Sequence, residues 1–422
     1  KNLLIKKKKF IPLLNKNDNS LFLIDEYFKD YFLRKGFRKF SNNKMILNFF
    51  FKFLRVPLIF FKKIKTSKIL FKNPPNKDYI IYDDTLTKYL ELLLKDKDYI
   101  ILPTRVERIN EFYLSKDIIF YLLKNLFKRS LKQNYLVKLI KTISPKIVLT
   151  HIDNSQDFSI TTKIFNNSRI KFFAIQNAGR EGDAFHKLYF DNFFIFGKHY
   201  QDLYLKKNVR VKKFHIIGSL KTNLIMKSLS EKIKNCDKNK YDICLISEPQ
   251  RSLNGDFAYI KDYADLKGTV AKYVVKFCKE NRLELIFSGK FPLESDYNDF
   301  EEIFYKKYLE NLDFKISQGK IDEFNSYLNI IQSKLIIGVN STMLQESIVL
   351  EKKILQCNLL NHPDLDLNFP EECSLKEFGY DKFKEKTLNL LSLDYQKYLQ
   401  KNSNKFNYMM HKNFNFNEIL SI

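Results

Sequence analysis

Short apolar runs begin near residue 77 and alternate with stretches of helical spacing as far as residue 358. Strands buried on both faces read as continuous hydrophobic runs, so this alternation predicts a parallel-sheet α/β architecture. The first series of predicted strands is Tyr79–Tyr82, Tyr99–Leu102, Ile147–Thr150, Ile170–Ile175, Phe193–Gly197 and Phe214–Gly218. Asp84–Leu94 and Leu136–Ile143 carry helical spacing between them. After Gly218 the chain turns polar and charged as far as Asp242, which marks a domain boundary. A second series follows at Ile243–Ser247, Leu283–Ser288, Leu335–Val339 and Ile354–Asn358, with helices at Thr269–Glu280, Asp322–Gln332 and Ser341–Glu351.

Two consecutive doubly wound sheets imply two Rossmann-like domains facing a cleft, since open parallel sheets bind ligands beyond their strand C-termini. The expected division is a helical, basic and aromatic segment over 1–76 and a first α/β domain over 77–225. A linker over 226–240, a second α/β domain over 241–400 and a tail over 401–422 complete it. With 422 residues and 45% hydrophobic composition the chain can fill two cores, and its 11 Gly and 10 Pro exclude a collagenous or low-complexity chain.

The segment Met45–Phe71 is packed with Phe and Leu but broken by Lys52, Arg55 and Lys62. It suits a helix lying among lipid headgroups with its lysines snorkelling. A buried helix pair bent at Pro57 fits the same pattern. No apolar stretch reaches spanning length and no signal peptide is visible at the start, which is Lys1 rather than Met, as in a fragment. The five cysteines contain no CxxC pair and argue against a disulfide framework or a zinc site. A cytoplasmic location, at the inner face of the cytoplasmic membrane, is the resulting expectation.

The net charge of +25, from 73 Lys+Arg against 48 Asp+Glu, favours anionic partners: phosphate-bearing substrates, an anionic membrane surface or nucleic acid. Lysines are spread along the whole chain rather than gathered in a stripe, and no RNA or DNA module is recognisable, so nucleic acid is not the expected partner. Composition bias alone also accounts for such a spread.

Candidate chemistry gathers at the predicted strand ends. In VNSTMLQES (339–347) a strand ends and Asn340-Ser341-Thr342 opens a helix carrying Gln345 and Glu346. Such a turn offers capping hydroxyls and unpaired backbone N–H groups to a nucleotide phosphate, with Glu346 in reach of a ribose. An ordinary capped helix has the same sequence signature. ICLISEPQRS (243–252) puts Glu248 at a strand end, and FSGKFP (287–292) adds Lys290 and Pro292. In the first domain, IQNAGREGD (175–183) supplies Gln176, Arg180, Glu181 and Asp183. HIDNS (151–155) supplies His151 and Asp153, and LPTRVERIN (102–110) supplies Arg105. A carboxylate beside an arginine in a cleft is a candidate for acid/base work, and His186 is read as a loop residue without a role.

The ordered blocks IVLTHIDNSQDF, IKFFAIQNAGR, FFIFGKHYQDLY and FHIIGSLKTN resemble those of bacterial surface carbohydrate biosynthesis proteins. The resemblance spans Tyr79–Asn358. That family is similar in layout to GT-B transferases using CMP-activated acidic sugars, including β-Kdo transferases and polysialyltransferases. Those enzymes carry a His-Pro pair after one strand and a Ser-Ser/Thr pair after a later one. Here Ser341-Thr342 is kept, while Lys290-Phe291-Pro292 stands without the histidine. The resemblance implies a GT-B-like fold and transfer of a sugar, such as Kdo from a CMP donor, to a surface polysaccharide, capsule, lipopolysaccharide or lipid-linked glycan. It implies no cofactor and no metal. The donor site would comprise Lys290, Pro292, Asn340, Ser341, Thr342, Gln345, Glu346 and Ser219. Arg105, His151, Gln176 and Arg180 would line the acceptor side, and a retaining route would use Glu248 and Glu181, with Asp153 as a further catalytic candidate. A CDP-polyol or glycerol phosphotransferase of the same layout is the alternative, and a non-enzymatic nucleic-acid-binding protein a more distant one.

Overall fold

The computed structural model describes residues 64 and 66–412, apart from 106–107, 127, 180–187, 229, 250–259, 290–297, 310–315 and 318–324. The first sheet is built from β2 (Tyr79–Tyr82), β3 (Tyr99–Leu102), β5 (Ile147–Thr150), β6 (Lys171–Ile175), β7 (Tyr189–Ile195) and β8 (Arg210–Ile216). Its order is β3-β2-β5-β6-β7-β8, and every pairing is parallel. A separate two-stranded parallel ladder joins β1 (Lys68–Leu70) to β4 (Glu111–Tyr113).

The second sheet comprises β9 (Tyr241–Ile246), β10 (Leu285–Ser288), β11 (Ile316–Ser317), β12 (Ser333–Gly338), β13 (Lys353–Cys357) and β14 (Ser374–Leu375). Its order is β11-β10-β9-β12-β13-β14, again wholly parallel. The architecture is therefore α/β, with two Rossmann-like sheets in the GT-B-like manner.

The predicted apolar runs became strands because both faces of each sheet are covered. β5 is buried at all four residues, and β13 at all five. Phe158 packs edge-on to Phe172 at 5.8 Å and lies 6.3 Å from Phe190, so one helix side chain ties two strands together. Such ring pairs add about 0.5–1.5 kcal/mol each beyond their area burial. Helix starts are marked by serines: the Ser115, Ser130 and Ser155 side chains accept from Ile118, Gln133 and Phe158 N–H.

Where the reading of strands fell short, the physics is visible. β7 begins at Tyr189, four residues before the apolar run at Phe193, because β8 is an edge strand and the polar residues there pair along it. Lys212 meets Asp191 at 2.9 Å, and His215 meets Asn192 at 3.1 Å. The strands β1, β4, β11 and β14 have two or three residues each and give too short a run to read.

The expected linker holds the end of the helix Leu220–Ser228 and the short helix Ser230–Lys234. The described part of the expected tail continues a helix that starts before it. Tyr395–Met409 forms one helix, capped by Asp394, which accepts from Gln396 and Lys397 N–H. It returns to the first domain: Tyr408 OH donates to Asp202 (2.7 Å) and His411 N–H to the Phe196 carbonyl (2.8 Å). Gly218, with φ +78°, allows that approach, since a Cβ there would run into the His411 carbonyl.

Candidate functional site

In each sheet the strand order reverses at one point, between β2 and β5 in the first and between β9 and β12 in the second. Crevices outside the strand C-termini at such points are where open α/β sheets take ligands. The residues that follow these four strands are therefore the ones to consider.

At the second crevice β9 leads into Glu248 and β12 into Asn340. The Glu248 carboxylate spans the gap: Oε1 accepts from Val339 N–H (2.9 Å) and Asn340 N–H (3.2 Å), and Oε2 also meets Asn340 N–H (3.2 Å). Gly338 makes room, since a Cβ there would lie 3.2 Å from Oε1. Glu248 N–H donates to Tyr305 OH at 3.3 Å, and Ser247 bonds both Tyr305 and the buried Glu301. Burial pushes the Tyr305 phenol up, so it stays protonated. Glu248 thus holds the strand-to-helix turn in place.

The helix Thr342–Val349 opens at this crevice, with Ser341 as N-cap accepting from Met343 N–H at 3.3 Å. Three of its side chains reach the first domain. Thr342 Oγ1 accepts from Gly179 N–H (2.8 Å), and Gln345 Oε1 accepts from Tyr200 OH (2.5 Å). Glu346 Oε1 accepts from Ser219 OH (2.9 Å), and its Oε2 accepts from Tyr327 OH (2.7 Å) within the second domain. A Cβ on Gly179 would run into the Gln345 amide oxygen and the Tyr200 hydroxyl, so a larger residue there would have to displace these two side-chain ends. Gln345 Nε2 is buried without a hydrogen-bond partner among the described residues.

At the first crevice β5 leads directly into His151, which is 2% exposed. Its imidazole stands 5.7 Å edge-to-face from Tyr89. Burial lowers its pKa to about 3, helped by the positive charge of Lys221 and opposed by backbone groups of Leu86 and Gln176. Those backbone groups lie near the ring, yet among the described residues neither ring nitrogen has a partner at hydrogen-bond geometry. Across the crevice, the loop after β2 holds Asp83 and Leu86 at φ 82° and 60°. Left-handed conformations at non-glycine residues store strain, which gathers at functional sites. Asp83 anchors the loop by accepting from Thr85 N–H (2.8 Å) and from the Thr104 hydroxyl.

The other first-domain candidates divide. Asp153 Oδ2 accepts from Asn177 N–H (3.2 Å), beside His151, whose carbonyl accepts from the Asn177 amide (2.6 Å). Gln176 braces its own loop, accepting from Phe196 N–H (2.9 Å) and donating to the Ala178 carbonyl (3.0 Å). Arg105 is exposed, while Arg108 reaches Asp84 at 3.5 Å. Arg180, Glu181, Asp183, His186, Lys290 and Pro292 lie outside the described residues, as does Met45–Lys63 of the amphipathic segment.

Tyr89, Tyr200, Lys221 and Tyr327 escaped the sequence reading. Lys221 Nζ stands 5.1 Å from the centre of the Tyr327 ring. Burial raises the Tyr327 phenol well above its ordinary value, and Glu346 adds to this. A continuous set of polar side chains thus runs from Glu346 through Tyr327 and Lys221 towards Tyr89 and His151. Tyrosines in helical spacing carry no signal of such a role, although Tyr200 and Lys221 stood in the quoted blocks FFIFGKHYQDLY and FHIIGSLKTN.

Residues 167–371 match a family described as "putative O-antigen biosynthesis protein". The match takes in Gln176, Ser219, Glu248, Asn340, Ser341 and Glu346, and begins after His151. The chain is thus similar to surface carbohydrate biosynthesis proteins. Among solved structures, UDP-GlcNAc 2-epimerase from Neisseria meningitidis, bound to UDP-GlcNAc, is 11% identical with a TM-score of 0.49. That match covers 84% of this chain and 99% of the other. The UDP-GlcNAc 2-epimerase of Methanocaldococcus jannaschii in complex with UDP-GlcNAc and UDP is 12% identical, with a TM-score of 0.46, covering 75% and 93%. The H548A variant of the wall teichoic acid polymerase TagF is 9% identical, with a TM-score of 0.45, covering 91% and 96%. No curated protein matches the chain. Among the described residues no group of three or more His, Cys, Asp or Glu could hold a metal ion, and no helix is long and apolar enough to cross a membrane.

Proposed function

We propose that this chain is a metal-independent, nucleotide-sugar-dependent glycosyltransferase of surface polysaccharide assembly. The donor would sit at the β9/β12 crevice and the acceptor, a glycan or lipid-linked glycan, at the β2/β5 crevice. The observation that carries the reading is the helix Thr342–Val349. It begins at the β9/β12 crevice and bonds the segments after β6, β7 and β8 of the first domain through Thr342, Gln345 and Glu346, so the two domains meet along it. The match to an O-antigen biosynthesis family supports the substrate class.

The chemistry follows from the groups in place. The N-terminus of that helix, with Asn340 and Ser341, would receive the donor phosphate and stabilise the charge that develops as it departs. Glu248, with its oxygens turned to Val339 and Asn340 N–H, is given a positioning role in place of the nucleophile's. His151 becomes the group that takes the proton of the acceptor hydroxyl, since among the described residues neither ring nitrogen meets a partner at hydrogen-bond geometry and Leu86 and Gln176 offer only nearby backbone groups. At a pKa of about 3 it is by itself a weak base. An anionic substrate beside it would raise that value, so the ring gains proton affinity only when the site is filled. The resemblance to transferases of CMP-activated sugars favours CMP-Kdo or a similar acidic donor.

The test is nucleotide binding to the full chain. CMP should raise the melting temperature more than UDP, GDP or ADP, because a ligand at a hundredfold excess over its Kd stabilises by about 2.7 kcal/mol. Ser341→Ala should abolish most of the shift while leaving the unliganded protein folded, as a lost cap costs only about 1 kcal/mol. Undiminished binding by that variant would reduce Ser341 to a helix cap.

A further inference from the structure

The helix Lys116–Lys124 is apolar on two faces. Ile118 and Leu122 are buried in the core, whereas Phe120 and Leu123 are 68% and 67% exposed, with Ile119 and Leu126 open beside them. Phe71, 78% exposed, adjoins the start of this helix, because Leu114 N–H donates to the carbonyl of Leu70 at 2.9 Å. A helix apolar all round belongs in a core or against a second apolar phase. Contiguous exposed apolar side chains ringed by polar ones mark an interaction surface.

The ring is cationic. Lys138 and Lys141, on the neighbouring helix Leu131–Ile143, place their ammonium groups 5.9 and 5.6 Å from the Tyr121 ring. Burial lowers the Lys141 pKa, and the nearby charges of Arg129 and Lys138 lower it further. Lys116, Lys124 and Lys128 are exposed at the same face. None of these six cations forms an ion pair among the described residues, and Asp117 is the one carboxylate of the helix. Like charges crowded without counter-charge are relieved by an anionic partner. A second copy of a chain carrying +25 would add repulsion instead.

We propose that the face formed by Phe71, Ile119, Phe120 and Leu123, with its rim of Lys116, Lys124, Arg129, Lys138 and Lys141, docks on an anionic phospholipid bilayer. The apolar side chains enter the headgroup boundary and the cations pair with lipid phosphates. The proposal does not rest on the sugar-transfer reading, because vesicle binding needs neither donor nor acceptor.

The experiment is co-sedimentation of the full chain with phosphatidylcholine vesicles, with and without phosphatidylglycerol. Binding is expected only with phosphatidylglycerol and should weaken with salt. Phe120→Ser with Leu123→Ser should reduce it by about tenfold or more at unchanged melting temperature, as each apolar side chain loses a burial site in the lipid. Lys138→Gln with Lys141→Gln provides a variant with no apolar core change, expected to lose about fivefold per lysine. Equal binding to neutral vesicles, or undiminished binding by either variant, would overturn the proposal. So would a wild-type dimer that the Phe120/Leu123 variant converts to monomer, since the face would then join two copies.

Discussion

The hydroxyl of Ser219 donates to Oε1 of Glu346 across 2.9 Å, joining the loop after the first sheet's last strand to the helix at the second sheet's crevice. Both residues are buried, and Tyr327 supplies the other hydroxyl to the same carboxylate. A charge taken out of water needs such donors, and each is worth more than a neutral hydrogen bond. Glu346, expected from the sequence within reach of a ribose, makes in this structure one of the bonds between the domains, beside those of Thr342 and Gln345.

Ser219→Ala should therefore cost about 1–3 kcal/mol, the penalty for leaving a buried charged acceptor short of a donor. The midpoint of urea unfolding reads this directly. A variant as stable as the parent would show that Glu346 is satisfied without Ser219.

His151 gives a pH prediction whose sign is fixed by its environment. Its folded pKa, about 3, lies below the ordinary value of 6.5. The unfolded chain therefore binds the extra proton first. The stabilisation from the neutral ring is fully present above about pH 6.5 and falls as pH drops from there towards 3, by at most about 1.4 kcal/mol per pH unit. His151→Gln should remove that part of the acid sensitivity. The comparison is thermal unfolding of both proteins between pH 7 and 4, and parallel curves would contradict the assignment.

Gly179→Ala places a methyl group against Gln345 and the Tyr200 hydroxyl. Overpacking of this kind costs about 1–3 kcal/mol. Because the clash lies between domains, loss of stability should come with faster proteolysis of the domain junction, measured by limited digestion. A variant with unchanged melting and digestion would mean that the loop moves aside freely.

Glu248→Gln separates two roles by kinetics. A positioning carboxylate for the Val339–Asn340 turn should raise the donor KM with a smaller change in kcat. A nucleophile would instead lose at least about 10²-fold in kcat. The measured split between the two parameters decides.

Much of the fold was legible because a strand covered on both faces has to be apolar, as β2, β3 and β5 are. β7 was read short because its first residues trade polar contacts with an edge strand, and the two- and three-residue strands leave no periodic trace. The C-terminal helix was read as a tail since its polar sequence hides the returning contact of Tyr408 and His411. The strand ends that drew attention in the sequence place His151, Glu248 and Ser341 at the two points where the strand order reverses. What each does depended on partners distant in sequence: Ser219 lies 127 residues from Glu346, and Glu248 lies 91 from Val339. Spacing along the chain carries no record of those pairings.

The central claim is acceptor-dependent sugar transfer, and the direct measurement is nucleotide release from a panel of donors. The full chain is incubated with CMP-Kdo, UDP-GlcNAc, a GDP-sugar or CDP-glycerol, with and without lipid-linked O-antigen glycan, and the products are resolved by mass spectrometry. The account predicts CMP release that requires the glycan, with the glycan gaining one sugar mass, and loss of this turnover by at least about 10²-fold in His151→Gln. Isomerised UDP-GlcNAc formed without acceptor, or a glycan gaining glycerol phosphate, would contradict it.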